Sequence, residues 1–170
     1  RRAALDEVGL LDEHFVMHME EIDLCWRLWR HGYRVRVEPK SRVYHIGGAS
    51  LAQGDPRKTY FNFRNSLLML YKNLPPARWR RLFPLRALLD GLALLRALFT
   101  GRGREAAAIV RAYRDAHRLR REYTAERPTA EETGTPPSYR GSILVDYFLR
   151  GRRRFSELPK RRFTIHQQKH

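Results

Sequence analysis

Between Glu20 and His31 the apolar residues Ile22, Cys25, Trp26 and Trp29 recur at i, i+3, i+4 and i+7. That spacing places side chains on one face of a helix. Glu20, Asp23, Arg27 and Arg30 form the opposite stripe, with Asp23 and Arg27 one turn apart, where opposite charges attract. His31-Gly32 ends the helix. Cys25 falls on the apolar face, which predicts an inert buried thiol. Residues 1–8 also read as helical and stop at Gly9, a candidate C-cap. The period then changes. Tyr33, Val35 and Val37 alternate with Arg34, Arg36 and Glu38, the two-residue period of a half-buried strand. Pro39 breaks it, Arg42 to Ile46 reads as a second short strand, and Gly47 to Pro56 as a glycine-bearing loop.

From Arg57 to Asn73 the helical period returns, with Tyr60, Phe63, Leu67, Leu70 and Tyr71 on one side, and Pro75-Pro76 marks a boundary. Leu82 to Thr100 is the most apolar stretch, about 19 residues and near the length that crosses a bilayer. Arg86, Asp90 and Arg96 lie inside it, and each would cost roughly 2.5–3.5 kcal/mol at the centre of a spanning helix. Because Arg86 and Asp90 share a narrow polar stripe, the helix is expected to lie on a membrane or against another helix. After Gly101-Arg102-Gly103, residues 104–123 form a basic amphipathic helix. Ile109, Ala112, Tyr113, Ala116 and Leu119 line one face, and Arg111, Arg114, Arg118 and Arg121 another. Residues 124–140 are polar and proline-bearing, and the tail pairs apolar Ile143 to Leu149 with Arg150 and Arg152 to Arg154. The pattern divides the chain at residues 1–74, 75–123 and 124–170.

Charge sharpens that division. The formal net charge is +16, with 34 Lys and Arg against 18 Asp and Glu. Residues 1–74 hold 12 against 9, a net of +3, and residues 75–170 hold 22 against 9, a net of +13. A basic half of this kind implies an anionic partner: nucleic acid, anionic lipid or a phosphorylated substrate. The single cysteine excludes an internal disulfide and fits a reducing cytosol. The chain opens on Arg1-Arg2 without the apolar run of a secretory leader. It enters patterned sequence at once, as expected of part of a longer protein.

The richest chemistry lies in HMEEIDLCWRLWRHGYRVRVEPKSRVYHIGGAS, residues 18–50. Glu20, Glu21 and Asp23 share the first turn of a helix, where the helix dipole alone would stabilise carboxylates. His45 and a Gly-Gly pair follow about 25 residues later at the end of an expected strand, where active-site loops of open α/β sheets collect. Carboxylates and a histidine in that order suit a metal- and base-dependent site for a phosphorylated substrate.

These residues resemble the C-terminal half of the catalytic domain of family 2 glycosyltransferases, inverting enzymes of the GT-A fold that use nucleotide-sugar donors. The resemblance runs through Gly9 to Glu13, Glu20 to Arg27, Gly32-Tyr33, Pro39 and His45 to Ser50, in order. PRKTYFNFRN, Pro56 to Asn65, is similar to the following helix in the rhamnosyltransferase-like branch. The resemblance covers about residues 1–73. It implies an α/β fragment, the C-terminal part of a GT-A domain with short strands plus helices, followed by an extended mainly α-helical region. It implies Glu21 as the base that takes the acceptor hydroxyl proton, with Glu20 and Asp23 as neighbouring candidates. The usual residue at position 21 is Asp, and Glu adds one methylene of reach. It implies His45 as a ligand of Mn²⁺ or Mg²⁺ on the donor diphosphate, and Arg27 and Arg64 as phosphate or carboxylate partners. The family's nucleotide-binding half, with its Asp-x-Asp metal motif, has no counterpart in residues 1–170, so this piece is expected to be inactive alone.

The expected function is therefore part of an inverting glycosyltransferase. Its partners would be a nucleotide-sugar donor, a glycan or lipid-linked acceptor and an anionic membrane surface. It would sit in the cytoplasm, peripheral at the inner face of the cell membrane. The alternative is a basic, non-catalytic module for a membrane surface or nucleic acid. Nucleic acid is disfavoured because no recognised motif is present and aromatics do not interleave with the basic face. His14 and His18, four apart, form a weaker metal pair, with no third ligand at metalloprotease spacing.

Overall fold

In a computed structural model of the chain, residues 1–44, 54–129 and 138–164 are described. Asp55 and Pro56 start the central helix. The Asp55 carboxylate accepts from the Arg57 amide at 2.8 Å, and Pro56 occupies the first turn, where its missing N–H leaves no donor orphaned. This helix, α3 (Pro56–Asn73), is buried all round at its middle, from Arg64 through Met69. Pro75-Pro76 ends it and seeds α4 (Pro76–Phe99), which carries Pro84 within it. Gly101, at φ 71°, turns the chain into α5 (Gly103–Leu119). Tyr60 meets Asp115 and Tyr71 meets Thr124, so α3 and α5 run in the same direction, while α4, between them in sequence, meets α3 through Arg86 and Ser66 and meets α5 through Asp90 and Tyr113.

Ahead of this trio lie α1 (Arg2–Val8) and α2 (Glu20–Arg30). The loop between them inserts Phe15 into a core with Leu67, Leu68, Met69, Ala116 and Tyr123. Ala106, Ala108, Ile109, Ala112 and Ala116 are the buried positions of α5, so the apolar face read over 104–123 is spent inside the protein. Arg127 closes this unit. Its guanidinium lies 4.1 Å from the Tyr71 ring and donates to the carbonyls of Tyr71 and Leu74.

The described chain separates into two compact units, 1–133 and 134–170. In the second, α6 (Ile143–Phe148) is capped by Ser142, and its Asp146 is fully buried. Asp146 accepts from Tyr139 Oη at 2.6 Å, Arg150 Nη1 at 2.9 Å and Arg152 Nη1 at 2.7 Å. The Tyr139 hydrogen bond and then the Arg150 contact hold its carboxyl below the usual range.

The expected α/β fragment is not what forms. Among the described residues there is no sheet, and the only β feature is an isolated bridge between Tyr139 and Phe163. The strand expected over Tyr33 to Val37 is irregular, as are the described residues of Arg42 to Ile46. A lone strand leaves its amides and carbonyls unpaired and its apolar face uncovered, and no second strand of the described chain lies alongside. The exposure agrees: Val37 is 88% and Val43 85% exposed. The architecture is helical.

The burial of α2 differs from expectation: its buried residues are Asp23 and Arg27, while Ile22 is exposed and Cys25 only half-buried. On α4 the buried residues are Asp90 and Ala97, and most of the leucines point outward. No helix among the described residues is long and apolar enough to cross a membrane, in keeping with the charges at Arg86, Asp90 and Arg96.

Candidate functional site

The acidic residues of α2 sit at the end of a constrained loop. His18 and Met19 both adopt left-handed backbone conformations, at φ 67° and 73°. For two consecutive non-glycine residues this costs roughly 1–3 kcal/mol apiece and persists only where the surroundings enforce it. The enforcement comes from α3. Asn65, fully buried, donates from Nδ2 to the carbonyls of Met17 at 2.7 Å and His18 at 3.0 Å. Arg64 donates through Nη2 to the His14 carbonyl, and its Nε donates to Asn65 Oδ1 at 2.8 Å. The Arg64 guanidinium also lies over the rings of Tyr60 and Phe61. Arg64, expected as a phosphate or carboxylate partner, makes its hydrogen bonds within the protein.

The three carboxylates do not converge. They occupy one helical turn but face different surroundings. Asp23 is fully buried, with Arg27 Nε at 2.8 Å, Asn73 Nδ2 at 2.7 Å and Lys72 Nζ at 3.4 Å. Glu21 is exposed to solvent. Glu20 is half-buried, and among the described residues its Oε2 has no hydrogen-bond partner, nor has the buried Nε2 of His18. Of the three, Glu21 and in part Glu20 are reachable from solvent, and Asp23 is enclosed beneath them.

Arg27 is likewise occupied. Besides Asp23 it binds the carbonyls of Val8, Gly9 and Leu10 at 2.5, 3.2 and 2.6 Å. It thereby caps the C-terminal end of α1, where a cation also meets the negative pole of the helix. Lys72 extends the network to Asp12 Oδ2 at 2.7 Å and lies 4.9 Å from the Tyr123 ring. Burial pushes the Asp12 carboxyl upward, but the hydrogen bond and charge of Lys72 outweigh it and bring the pKa down to about 2. Burial, then the charge of Asp12, push Tyr123 up. Asp12, Asn65, Lys72 and Asn73 were missed as site-building residues. Asp12 and Asn65 carried a local signal, within the Gly9 to Glu13 and Pro56 to Asn65 segments, and Lys72 and Asn73 carried none.

His45 lies outside the described residues. Among those described, no group of three or more His, Cys, Asp or Glu side chains is placed to hold a metal ion. Asp12 and Asp23 are consumed by Lys72 and Arg27, and His14 by Asp12 and Glu122 at 3.1 and 3.0 Å.

Over 62 residues the chain is 40% identical to the Pre-mycofactocin glycosyltransferase of Mycobacterium tuberculosis, in both strain CDC 1551 / Oshkosh and strain ATCC 25618 / H37Rv. The match takes in 36% of this chain and spans only 13% of the length of those relatives. No known protein-family profile matches the chain. No solved structure matches it. The partial likeness to a glycosyltransferase agrees with the coarse reading of the acidic segment as part of a sugar-transferring protein.

Proposed function

We propose that this chain is the acceptor-side part of an inverting glycosyltransferase of the family 2 type, in its rhamnosyltransferase-like branch. Its donor is a nucleotide sugar, and its acceptor a glycan or lipid-linked hydroxyl. Glu21 is the base: its carboxylate takes the proton from the acceptor hydroxyl as that oxygen attacks the anomeric carbon, and the nucleoside diphosphate departs with the bonding pair. Glu20, with an oxygen that has no protein partner, accepts a hydrogen bond from the acceptor beside it. The observation that carries the reading is the division of labour on one helical turn. Asp23 is locked in an internal ion network, while Glu21 is exposed to solvent at the end of a loop pinned by Asn65.

The test is made in the complete enzyme. Glu21→Gln should lower kcat by at least about 10²-fold, the lower range for loss of a general base, while donor binding stays unchanged. Glu20→Gln should raise acceptor KM more than it lowers kcat. Near-normal turnover in Glu21→Gln would move the base elsewhere.

A further inference from the structure

Helix α4 presents its polar stripe to the protein and its leucines to the outside. The inward face is built on Arg86 and Asp90. Arg86 Nε donates to Asp90 Oδ2 at 2.6 Å, Arg86 Nη2 donates to Ser66 Oγ at 2.9 Å, and Tyr113 Oη donates to Asp90 Oδ2 at 2.6 Å. With the charges drawn inward, Leu85, Leu88, Leu92, Leu95 and Phe99 line the opposite side at successive spacings of three and four residues. Their exposures run from 49% at Leu95 to 87% at Phe99. An apolar stripe of that length on an otherwise charged protein marks a surface that meets something.

The charges around the stripe say what it meets. Arg78, Arg80 and Arg81 are exposed at its N-terminal end, Arg96 is exposed on one border, and Arg102 and Arg104 are exposed just beyond its C-terminal end. The one acid on the helix, Asp90, is buried. A seam against a second copy of the helix would need acids to pair with these arginines across the interface. It has none, and Pro84 and Gly91 interrupt its border. A surface of lipid phosphates matches both features, the apolar stripe and its mainly basic rim, where one acid, Glu105, meets Arg102 at 3.5 Å.

We propose that α4 lies flat on an anionic lipid bilayer. The five apolar residues enter the boundary between headgroups and acyl chains, and the arginines pair with lipid phosphates. The basic helix α5 is not the inserting element, because its apolar face is already packed against α3. The proposal stands whether or not the protein transfers sugar.

The experiment is co-sedimentation of the complete protein with phosphatidylcholine vesicles, with and without phosphatidylglycerol. Binding should require the anionic lipid. Leu88→Glu/Leu92→Glu changes exposed side chains only, so it should keep its helix content and melting temperature while losing vesicle binding by on the order of a hundredfold. Replacing Arg78, Arg80 and Arg81 by Gln should cost about a hundredfold as well, from roughly 1 kcal/mol for each basic residue at the surface. Three results would overturn the proposal: equal binding to neutral and anionic vesicles, unchanged binding of the leucine variant, or a dimer in analytical ultracentrifugation that the leucine variant dissolves with no vesicle binding by either protein.

Discussion

Arg27 Nε donates to Asp23 Oδ2 at 2.8 Å inside the protein, and Asp23 has no exposure to solvent. Asn73 and Lys72 reach the same carboxylate from α3. Taking charges out of water costs several kcal/mol per ion, so such a group is tolerated only while its partners remain. Asp23→Ala leaves Arg27 and Lys72 short of a counter-charge and should destabilise the fold by about 3–5 kcal/mol. Asp23→Asn keeps the shape and removes only the charge, so it should cost less. Urea unfolding of the two variants orders them. Equal stability of Asp23→Ala and the parent would mean that the network does not hold α2 to α3.

Acid should loosen the same network through Asp12. Lys72 holds the folded-state pKa of Asp12 near 2, below the unfolded value of 3.8. The folded protein therefore binds this proton less readily than the unfolded chain. The stabilisation is complete above about pH 4 and is lost as pH falls from about 4 to 2. It amounts to on the order of 2 kcal/mol for a side chain as enclosed as this one. Denaturation curves from pH 6 to 2 should converge for the parent and Asp12→Asn at the acid end. Curves that stay parallel would remove Asp12 from the acid response.

Asn65 is the next point of control. Asn65→Leu removes the donor shared by the Met17 and His18 carbonyls and leaves both part-buried acceptors without it. The stability loss should be roughly 1–3 kcal/mol. The more telling readout is local. Amide hydrogen exchange across residues 14–20 should speed up more than exchange in α5, because the left-handed turn at His18-Met19 loses what enforces it. In the complete enzyme kcat should fall with Glu21 intact. Uniform acceleration across all helices would mean that Asn65 supports the core and not the turn.

The helices themselves were legible, because their punctuation is local. Gly9, His31-Gly32, Pro75-Pro76 and Gly101 each stop or start an element near the residue where the structure does. The first turn of α4 was not read, since Pro76 to Arg81 offers no apolar period. Face assignment failed for a physical reason. Periodicity separates polar from apolar stripes, but which stripe is buried depends on partners remote in sequence, here Lys72 and Asn73 for Asp23 and Tyr113 for Asp90. The strands failed for the complementary reason. Alternation at Tyr33, Val35 and Val37 states a capacity that only a neighbouring strand can realise. In the acidic segment the sequence placed three carboxylates on one turn of helix, yet it could not separate exposed Glu21 from buried Asp23, which differ only in the direction they face.

Arg86 and Asp90 allow the buried-charge argument to be tested free of any functional assay. Burial, then the hydrogen bond from Tyr113 to Asp90, raise the Tyr113 pKa. The hydroxyl therefore stays a donor to Asp90 throughout the neutral range. Asp90→Leu alone strands Arg86 and the Tyr113 hydroxyl, and Arg86→Leu alone strands Asp90, so each should cost about 3–5 kcal/mol. The double variant replaces the pair with apolar volume beside Phe63. It should be far less destabilised than the sum of the singles, with a coupling of at least about 1–3 kcal/mol. It would also convert α4 from a helix with one buried polar stripe to one that is apolar on both sides. If the single costs simply add in thermal and urea unfolding, Arg86 and Asp90 act independently, and the inward orientation of the polar stripe is set by the packing of Trp79 and Phe83 instead.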